Sequence, residues 1–192
     1  VKGRGCDWAS AEPETFHSPS PFTIKTGKVT LHETGGRSWT RAFADALIEQ
    51  AERNDKIVAI TAAMPEGTGL SFFAERFPNR YLDVGIAESS GVDIAAGLAR
   101  GGCRPVVAIY STFLQRGFDQ IFQEVALQEL PVVFCMDRAG LVGGDGAVHH
   151  GFADIAYLRG LPGMILIAPA DEPELNAALT FALAQHRPVA IR

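Results

Sequence analysis

Six short apolar runs, KIVAIT, YLDVGIA, PVVAIY, PVVFCM, MILIAP and PVAI, recur along the chain, and stretches with helical spacing lie between them. Strands that read as near-continuous apolar runs are buried on both faces. That condition is met in a parallel sheet whose crossover connections are helices. The expected fold is therefore α/β, a doubly wound, mostly parallel sheet of about six strands with helices on both faces. In such a sheet a ligand sits beyond the carboxyl ends of the strands. The informative residues are then those just after each run: AAMPEGTG (62–69), GIAES (85–89), IYSTFLQR (109–116), DRAGLVGGDGAVHHG (137–151) and APADE (168–172).

The helical stretches support this frame. In RSWTRAFADALIEQAERN the residues Trp39, Phe43, Ala46, Leu47 and Ala51 share one face, with charges opposite. In FLQRGFDQIFQEVALQEL a single helix is expected to turn Phe113, Phe118, Ile121, Phe122 and Val125 inward. Residues 1–35 differ. They are rich in Pro and Ser and lack sustained periodicity, so they read as an extended arm or interdomain linker ahead of a domain over 36–192. That arm, and a last strand ending at Arg192, imply a piece of a longer protein.

Charge and cysteine usage exclude several classes. With 17 basic and 22 acidic residues the net charge is −5, which gives no general attraction to nucleic acid or anionic lipid. No apolar run approaches the about 18 residues of a membrane helix, and no signal peptide is visible, so a cytoplasmic protein is expected. Cys6, Cys103 and Cys135 are widely spaced and include no C-x-x-C pair, which implies reduced thiols and no zinc cluster.

Glu88 is the most informative single residue. It stands where an apolar strand enters a helix rich in Ala, Gly, Ile and Leu. A carboxylate there can simply favour the helix start through the dipole, by about 0.3–1 kcal/mol. Alternatively it is a semi-buried acid presented to a ligand for proton transfer. The stretch 137–151 gathers carboxylates, an arginine and two histidines among glycines, which suits a tight ligand loop better than core. Arg116 and Arg138, both near strand ends, are either solvated or forks for a phosphate. Of His149 and His150, one is better suited to hydrogen bonding or proton transfer than the two are to a metal pair, since adjacent side chains diverge. The Gly144-Asp145-Gly146 triplet with a later Asn176 imitates a magnesium–diphosphate motif. It does not directly follow an apolar strand, and Asn176 lies inside an amphipathic helix, so no metal site is assigned in this chain.

MPEGTGL with FAERFPNRYLDVGIAE, then RPVVAIYSTFLQRGFDQ and DRAGLVGGDG, resemble the central, pyrimidine-binding domain of the 1-deoxy-D-xylulose-5-phosphate synthases, a transketolase-type family. The resemblance runs from about residue 30 onward. It implies an enzyme that joins pyruvate to glyceraldehyde 3-phosphate with decarboxylation, for isoprenoid precursor synthesis. It also implies thiamine diphosphate and Mg2+ as cofactors, with the diphosphate and the metal held by a separate domain. The implied partners are the diphosphate-binding and C-terminal domains of the full-length enzyme, in a homodimer. By motif, Glu88 would hydrogen-bond the aminopyrimidine ring nitrogen as a catalytic residue, and Phe113 and Met64 would contact the cofactor. Tyr110, Arg116 and Arg138 would bind the acceptor, chiefly its phosphate, and Asp145 and His149 would meet substrate oxygens, His149 catalytically. Arg192 is not assigned the family's further phosphate-binding role.

Two departures bear on the acceptor. Ser89-Ser90 stand where the family commonly has Gln-His, and Ala147-Val148 stand near a usual Pro-Thr. The resemblance implies a chain that is inactive by itself, because one domain supplies half of a cofactor site. Two other readings remain open: a divergent transketolase-like or 2-oxoacid dehydrogenase-type subunit with another acceptor, and a non-catalytic assembly module.

Overall fold

The computed structural model describes residues 4–13, 16, 23, 26, 28 and 37–192, the side chain of Asp145 excepted. The chain divides into two units, residues 1–37 and 38–192. In the first, α1 is a five-residue helix, Asp7–Ala11, within the stretch read from sequence as extended. Most of that stretch lies outside the described residues.

The second unit alternates strands and helices in the expected order. It comprises α2 (Trp39–Arg53), β1 (Ile57–Thr61), α3 (Pro65–Thr68), α4 (Leu70–Arg76), β2 (Tyr81–Asp83), α5 (Glu88–Arg100), β3 (Arg104–Ala108), α6 (Ser111–Leu114) and α7 (Phe118–Gln120). Then follow β4 (Val133–Cys135), α8 (Ala153–Leu158), β5 (Ile165–Ile167), α9 (Glu172–Ala184) and β6 (Val189–Ile191). Side chains cap two of the three long helices, α2 and α9. Ser38 accepts from the Arg41 amide of α2, and Asp171 accepts from the Glu174 amide of α9. Each such cap satisfies a backbone donor that the helix leaves open and contributes typically about 1 kcal/mol.

The six strands form one sheet in the order β2-β1-β3-β4-β6-β5, and every pairing is parallel. Successive side chains of a strand point to opposite faces, so the sheet feeds two cores. Ile57, Ala59, Val106, Ala108, Val133, Cys135, Val189 and Ile191 face one core with Leu47 of α2, Phe73 of α4 and Leu179 of α9. Ile60, Val107, Phe134 and Ala190 face the other with Val92 of α5, Ile121, Val125 and Leu158 of α8. Phe73 and Phe134 are fully buried, and burial of one such ring stabilises the fold by about 1.5–3 kcal/mol. The edge strand β2 is the exception to double coverage, since Leu82 and Asp83 are exposed.

Two inward assignments are corrected. Trp39 is half exposed, at the first residue of α2, where the helix has no preceding turn to cover it. Phe118 is also largely exposed and meets Tyr157 edge-on at 5.7 Å between ring centres. The expected single helix is in fact α6, a 3-10 turn at Gln115–Gly117, α7, and a π-helical stretch at Ile121–Ala126. Each change of winding shifts the angle between successive side chains, so one 3.6-residue phase does not hold across the segment. Ile121 and Val125 still turn inward.

Sheet order fixes where a ligand crevice opens. The chain leaves β1 towards β2 and returns across β1 to β3, so the connections after β1 and β3 diverge at this switch point. Residues 62–68, 84–88 and 109–116 all emerge at this end.

Candidate active site

Glu88 is the first residue of α5, and its carboxylate is only 4% exposed. The N-cap residue before it is Ala87, whose side chain cannot cap the helix. Glu88 Oε1 accepts from Arg116 Nη1 at 2.6 Å. Arg116 reaches it because Gly117 lies against the first turns of α5. A methyl group at Gly117 would sit 3.1 Å from Val92 Cγ2 and 3.7 Å from the Glu88 carbonyl oxygen. Sequence reasoning placed Arg116 on the first turns of a helix. It lies instead in the 3-10 turn beyond α6, with its guanidinium 5.4 Å from the centre of the Phe113 ring.

From Phe113 the cluster continues outward. Phe113 stacks on Tyr110 at 5.6 Å with 17° between ring planes, and His149 meets Phe113 edge-on at 5.5 Å. Arg138 lies 4.5 Å over the Tyr110 ring. The Arg138 backbone is left-handed, with φ of 58°, in a residue with a Cβ, a conformation held here by its surroundings. The Arg138 amide donates to Asp137 Oδ1, and its Nη1 bonds Asp137 Oδ2 and the Gly67 carbonyl oxygen. Gly67 in turn packs against the Tyr110 hydroxyl, where a methyl group would come within 1.7 Å.

Six of the residues singled out from the sequence, Glu88, Arg116, Phe113, Tyr110, Arg138 and His149, therefore form one continuous set of contacts. Met64 is not joined to them by a polar contact. It precedes α3, accepts from the Thr68 hydroxyl through its carbonyl, and packs partly buried against the same apolar core as Phe113. The side chain of Asp145 lies outside the described residues. His150 uses Nδ1 to accept from the Val142 amide, which leaves His149 as the histidine of the pair on the aromatic cluster. Asn176 lines a shallow groove with Glu49, Gln50 and Arg53 of α2. Among the described residues no group of three or more His, Cys, Asp or Glu is placed to hold a metal.

A cavity of about 490 Å³ opens beside this cluster, over the carboxyl ends of β3, β4 and β6. Arg138, Asp137, Arg192 and Thr40 give it polar walls, and Trp39, Leu141 and Leu175 give it apolar ones. Sequence reasoning counted Asp137 only as one of the carboxylates of the 137–151 loop and singled out none of Gly67, Ser111 and Asp154. Asp154 is fully buried and accepts from Ser111 Oγ at 3.1 Å and from Arg192 Nε at 3.0 Å. Its signal was the Asp of HHGFAD, a lone acid on an otherwise apolar helix start.

The donor set suits a flat, nitrogen-bearing ring. Among the described residues Glu88 Oε1 is held by Arg116, while Oε2 forms no hydrogen bond and is not fully buried, so that oxygen is open to a ligand. Phe113 supplies an aromatic face next to that acid through Arg116. An aminopyrimidine, with a ring nitrogen to bond the acid and a face to stack, fits these two features.

The transketolase pyrimidine-binding domain model matches residues 36–192. Over its whole length the chain is 56% identical to 1-deoxy-D-xylulose-5-phosphate synthase 1 of Geobacter sulfurreducens, and 55% identical over 191 residues to the synthase of Magnetococcus marinus. In each case it spans about 30% of the relative's length. Among solved structures, a split-gene transketolase in an inactive β4 tetramer superposes with a TM-score of 0.71 at 35% identity, over 80% of this chain and 50% of that one. Campylobacter jejuni transketolase superposes with a TM-score of 0.73 at 20% identity, over 79% of this chain and 24% of that one, and supports the fold alone. An all-parallel sheet with a buried acid at its switch-point crevice, and a family match over every residue of the second unit, lead to one assignment: the chain belongs to the transketolase pyrimidine-binding domain family.

Proposed function

We propose that this chain is the pyrimidine-binding domain of a thiamine diphosphate-dependent 1-deoxy-D-xylulose-5-phosphate synthase, which condenses pyruvate with glyceraldehyde 3-phosphate and releases carbon dioxide. The observation that carries the reading is the buried Glu88 side chain at the sheet's carboxyl end, one oxygen held by Arg116 and the other without a bond among the described residues. Identities of 50–56% to synthases across the whole chain support the choice of reaction.

Thiamine diphosphate, when bound, supplies an acidic thiazolium carbon and an electron sink for the pyruvate carbons. Glu88 would hold it by a hydrogen bond at the pyrimidine ring nitrogen, and Phe113 by stacking. The Arg116 bond to Oε1 would orient the Glu88 carboxylate for that contact. Arg138 and Tyr110 form a cationic and phenolic wall that suits the phosphate of an aldehyde acceptor, and His149 presents an imidazole to its oxygens. Asp145 belongs with His149 on the same loop. Mg2+ and the diphosphate fall to another domain of the full-length enzyme, and Met64 lines the pyrimidine side. The full-length protein is read as a cytoplasmic homodimer. No helix among the described residues is long and apolar enough to cross a membrane.

The test is Glu88→Gln and Glu88→Ala in the full-length enzyme, assayed with pyruvate and glyceraldehyde 3-phosphate. Positioned proton transfer contributes about 10²- to 10⁴-fold, and a loss of that order with an unchanged fold is expected. Near-normal turnover in Glu88→Ala removes the role. By itself this chain is expected to bind thiamine diphosphate and magnesium weakly in a calorimetric titration, and micromolar affinity would contradict a site shared between domains.

A further inference from the structure

The loops that carry the acceptor-facing groups meet at one buried carboxylate. Asp154, at the start of α8, accepts four hydrogen bonds: Ser111 Oγ at 3.1 Å, Arg192 Nε at 3.0 Å and Nη2 at 3.2 Å, and the Ile155 amide at 2.7 Å. Its side chain is completely buried, as is Ser111. Ser111 follows Tyr110 directly and stands two residues before Phe113, and its amide donates to the Asp137 carbonyl oxygen. The Ser111 hydroxyl lies against Gly151, where a methyl group would come within 2.5 Å of Oγ and 2.7 Å of the Arg138 carbonyl oxygen. Gly151 exchanges both backbone hydrogen bonds with Gly140 and also accepts from Arg192 Nη2. That pairing closes the loop bearing His149 onto its own base.

We infer that Asp154 is a positioning residue for the acceptor site. Through Ser111 it fixes the start of α6, and with it the Tyr110 and Phe113 rings. Through Arg192 and Gly151 it closes residues 140–151 over them, and so sets where Arg138 and His149 face the acceptor. The inference rests on the synthase reading for the identity of the acceptor, but the clamp itself has a readout that needs no substrate. Charge-assisted bonds to a buried carboxylate are the strong kind, and their geometry is specific, so loss of the charge loosens the loop before it disturbs either core. The loop lies at the carboxyl end of the sheet, outside both core clusters.

The experiment is Asp154→Asn in the full-length enzyme, with Ser111→Ala as a milder variant that keeps the Arg192 pair intact. Two quantities are read. Steady-state kinetics are expected to show the KM for glyceraldehyde 3-phosphate raised about tenfold or more in Asp154→Asn and a few-fold in Ser111→Ala. The KM for pyruvate stays within about twofold. Amide exchange at Gly140 and Gly151, measured without substrate, is expected to speed up at least tenfold while the amides of β1 and β3 stay protected. If the wild-type enzyme makes no 1-deoxyxylulose 5-phosphate, the synthase reading fails and the exchange result still decides the clamp. Unchanged exchange at Gly140 and Gly151 in both variants overturns the inference. So does an equal loss of protection across loop and sheet in Ser111→Ala, which marks a merely structural role.

Discussion

Arg116 and Glu88 meet at 2.6 Å across a boundary: the carboxylate end is 4% exposed and the guanidinium end 59%. The bond therefore counts for more to Glu88 than to Arg116. Without it the buried acid would have no partner among the described residues, whereas Arg116 would simply be solvated. Breaking a wholly buried pair costs about 3–5 kcal/mol, but water reaches Arg116 and screens this one, so about 1 kcal/mol is the scale for its loss.

Arg116→Ala is therefore expected to lower the denaturation midpoint only slightly and to lower turnover more, because Glu88 loses the contact that holds its orientation. Arg116→Lys is not expected to restore turnover. A compact ammonium cannot both lie over the Phe113 ring and reach Glu88 Oε1 as the extended guanidinium does. Steady-state kinetics with thermal melting separate the two effects. Turnover unchanged in Arg116→Ala would show that the contact is dispensable to Glu88.

The part of this arrangement that could be read from the sequence is the part set by strand ends. Glu88, Tyr110 and Arg138 each follow an apolar run within a few residues, and a parallel sheet gathers such residues at one edge whatever the details of packing. Phe118 was misplaced because its phase was counted along one α-helix, and the 3-10 and π turns around it arise from packing against α5, where Gly117 permits close approach. Asp154 stood out only as a lone acid in HHGFAD, and its role could not be read for a different reason. Its partners Ser111 and Arg192 lie 43 and 38 residues away, and no local pattern encodes a hydrogen bond at that separation. Gly67 falls in the stretch after β1, but nothing local in AAMPEGTG encodes the Tyr110 hydroxyl that lies against it.

Tyr157 offers a test of stability alone. Its hydroxyl is buried and forms no hydrogen bond among the described residues. An unpaired buried hydroxyl costs about 1–3 kcal/mol, so Tyr157→Phe is expected to raise the denaturation midpoint of the chain. Burial, and then the negative charge of Asp154, push the phenol's pKa well up, so ionisation is resisted. In an alkaline absorbance titration of the three tyrosines, the Tyr157 phenol is expected to ionise last. A lower midpoint for Tyr157→Phe would mean that the hydroxyl has a partner after all.

Asp93 sets an expected pH dependence. Desolvation, and then the like charge of Glu124, raise its pKa above the ordinary 3.8. In the unfolded chain Asp93 releases its proton first. Between the two pKa values the folded state therefore holds more protons, and its stability falls as pH rises through that window. Asp93→Asn removes the fall. Its denaturation midpoint relative to wild type is expected to improve from pH 4 towards neutrality, and Glu124→Gln to reproduce part of the gain. Parallel pH profiles for Asp93→Asn and wild type would show that the two acids do not couple to folding.

Gly67 tests whether the outer half of the site depends on close packing. A methyl group there would lie 1.7 Å from the Tyr110 hydroxyl oxygen and 2.7 Å from the ring carbon that bears it, so the ring itself must move. Tyr110 carries both the stack on Phe113 and the Arg138 guanidinium, so its displacement reaches both. The Gly67 carbonyl also accepts from Arg138, which ties the two shifts together. A misplacement of about 1 Å at a positioned group can cost on the order of 10²-fold. Gly67→Ala is thus expected to lower kcat/KM for the aldehyde acceptor by about that factor, with little change in melting temperature, since Gly67 lies outside both apolar cores. Adding Tyr110→Phe relieves the contact with the hydroxyl but not that with the ring carbon, so the double variant is expected to stay impaired. Full recovery in the double variant would show that the hydroxyl alone, and not the ring's position, carries the effect.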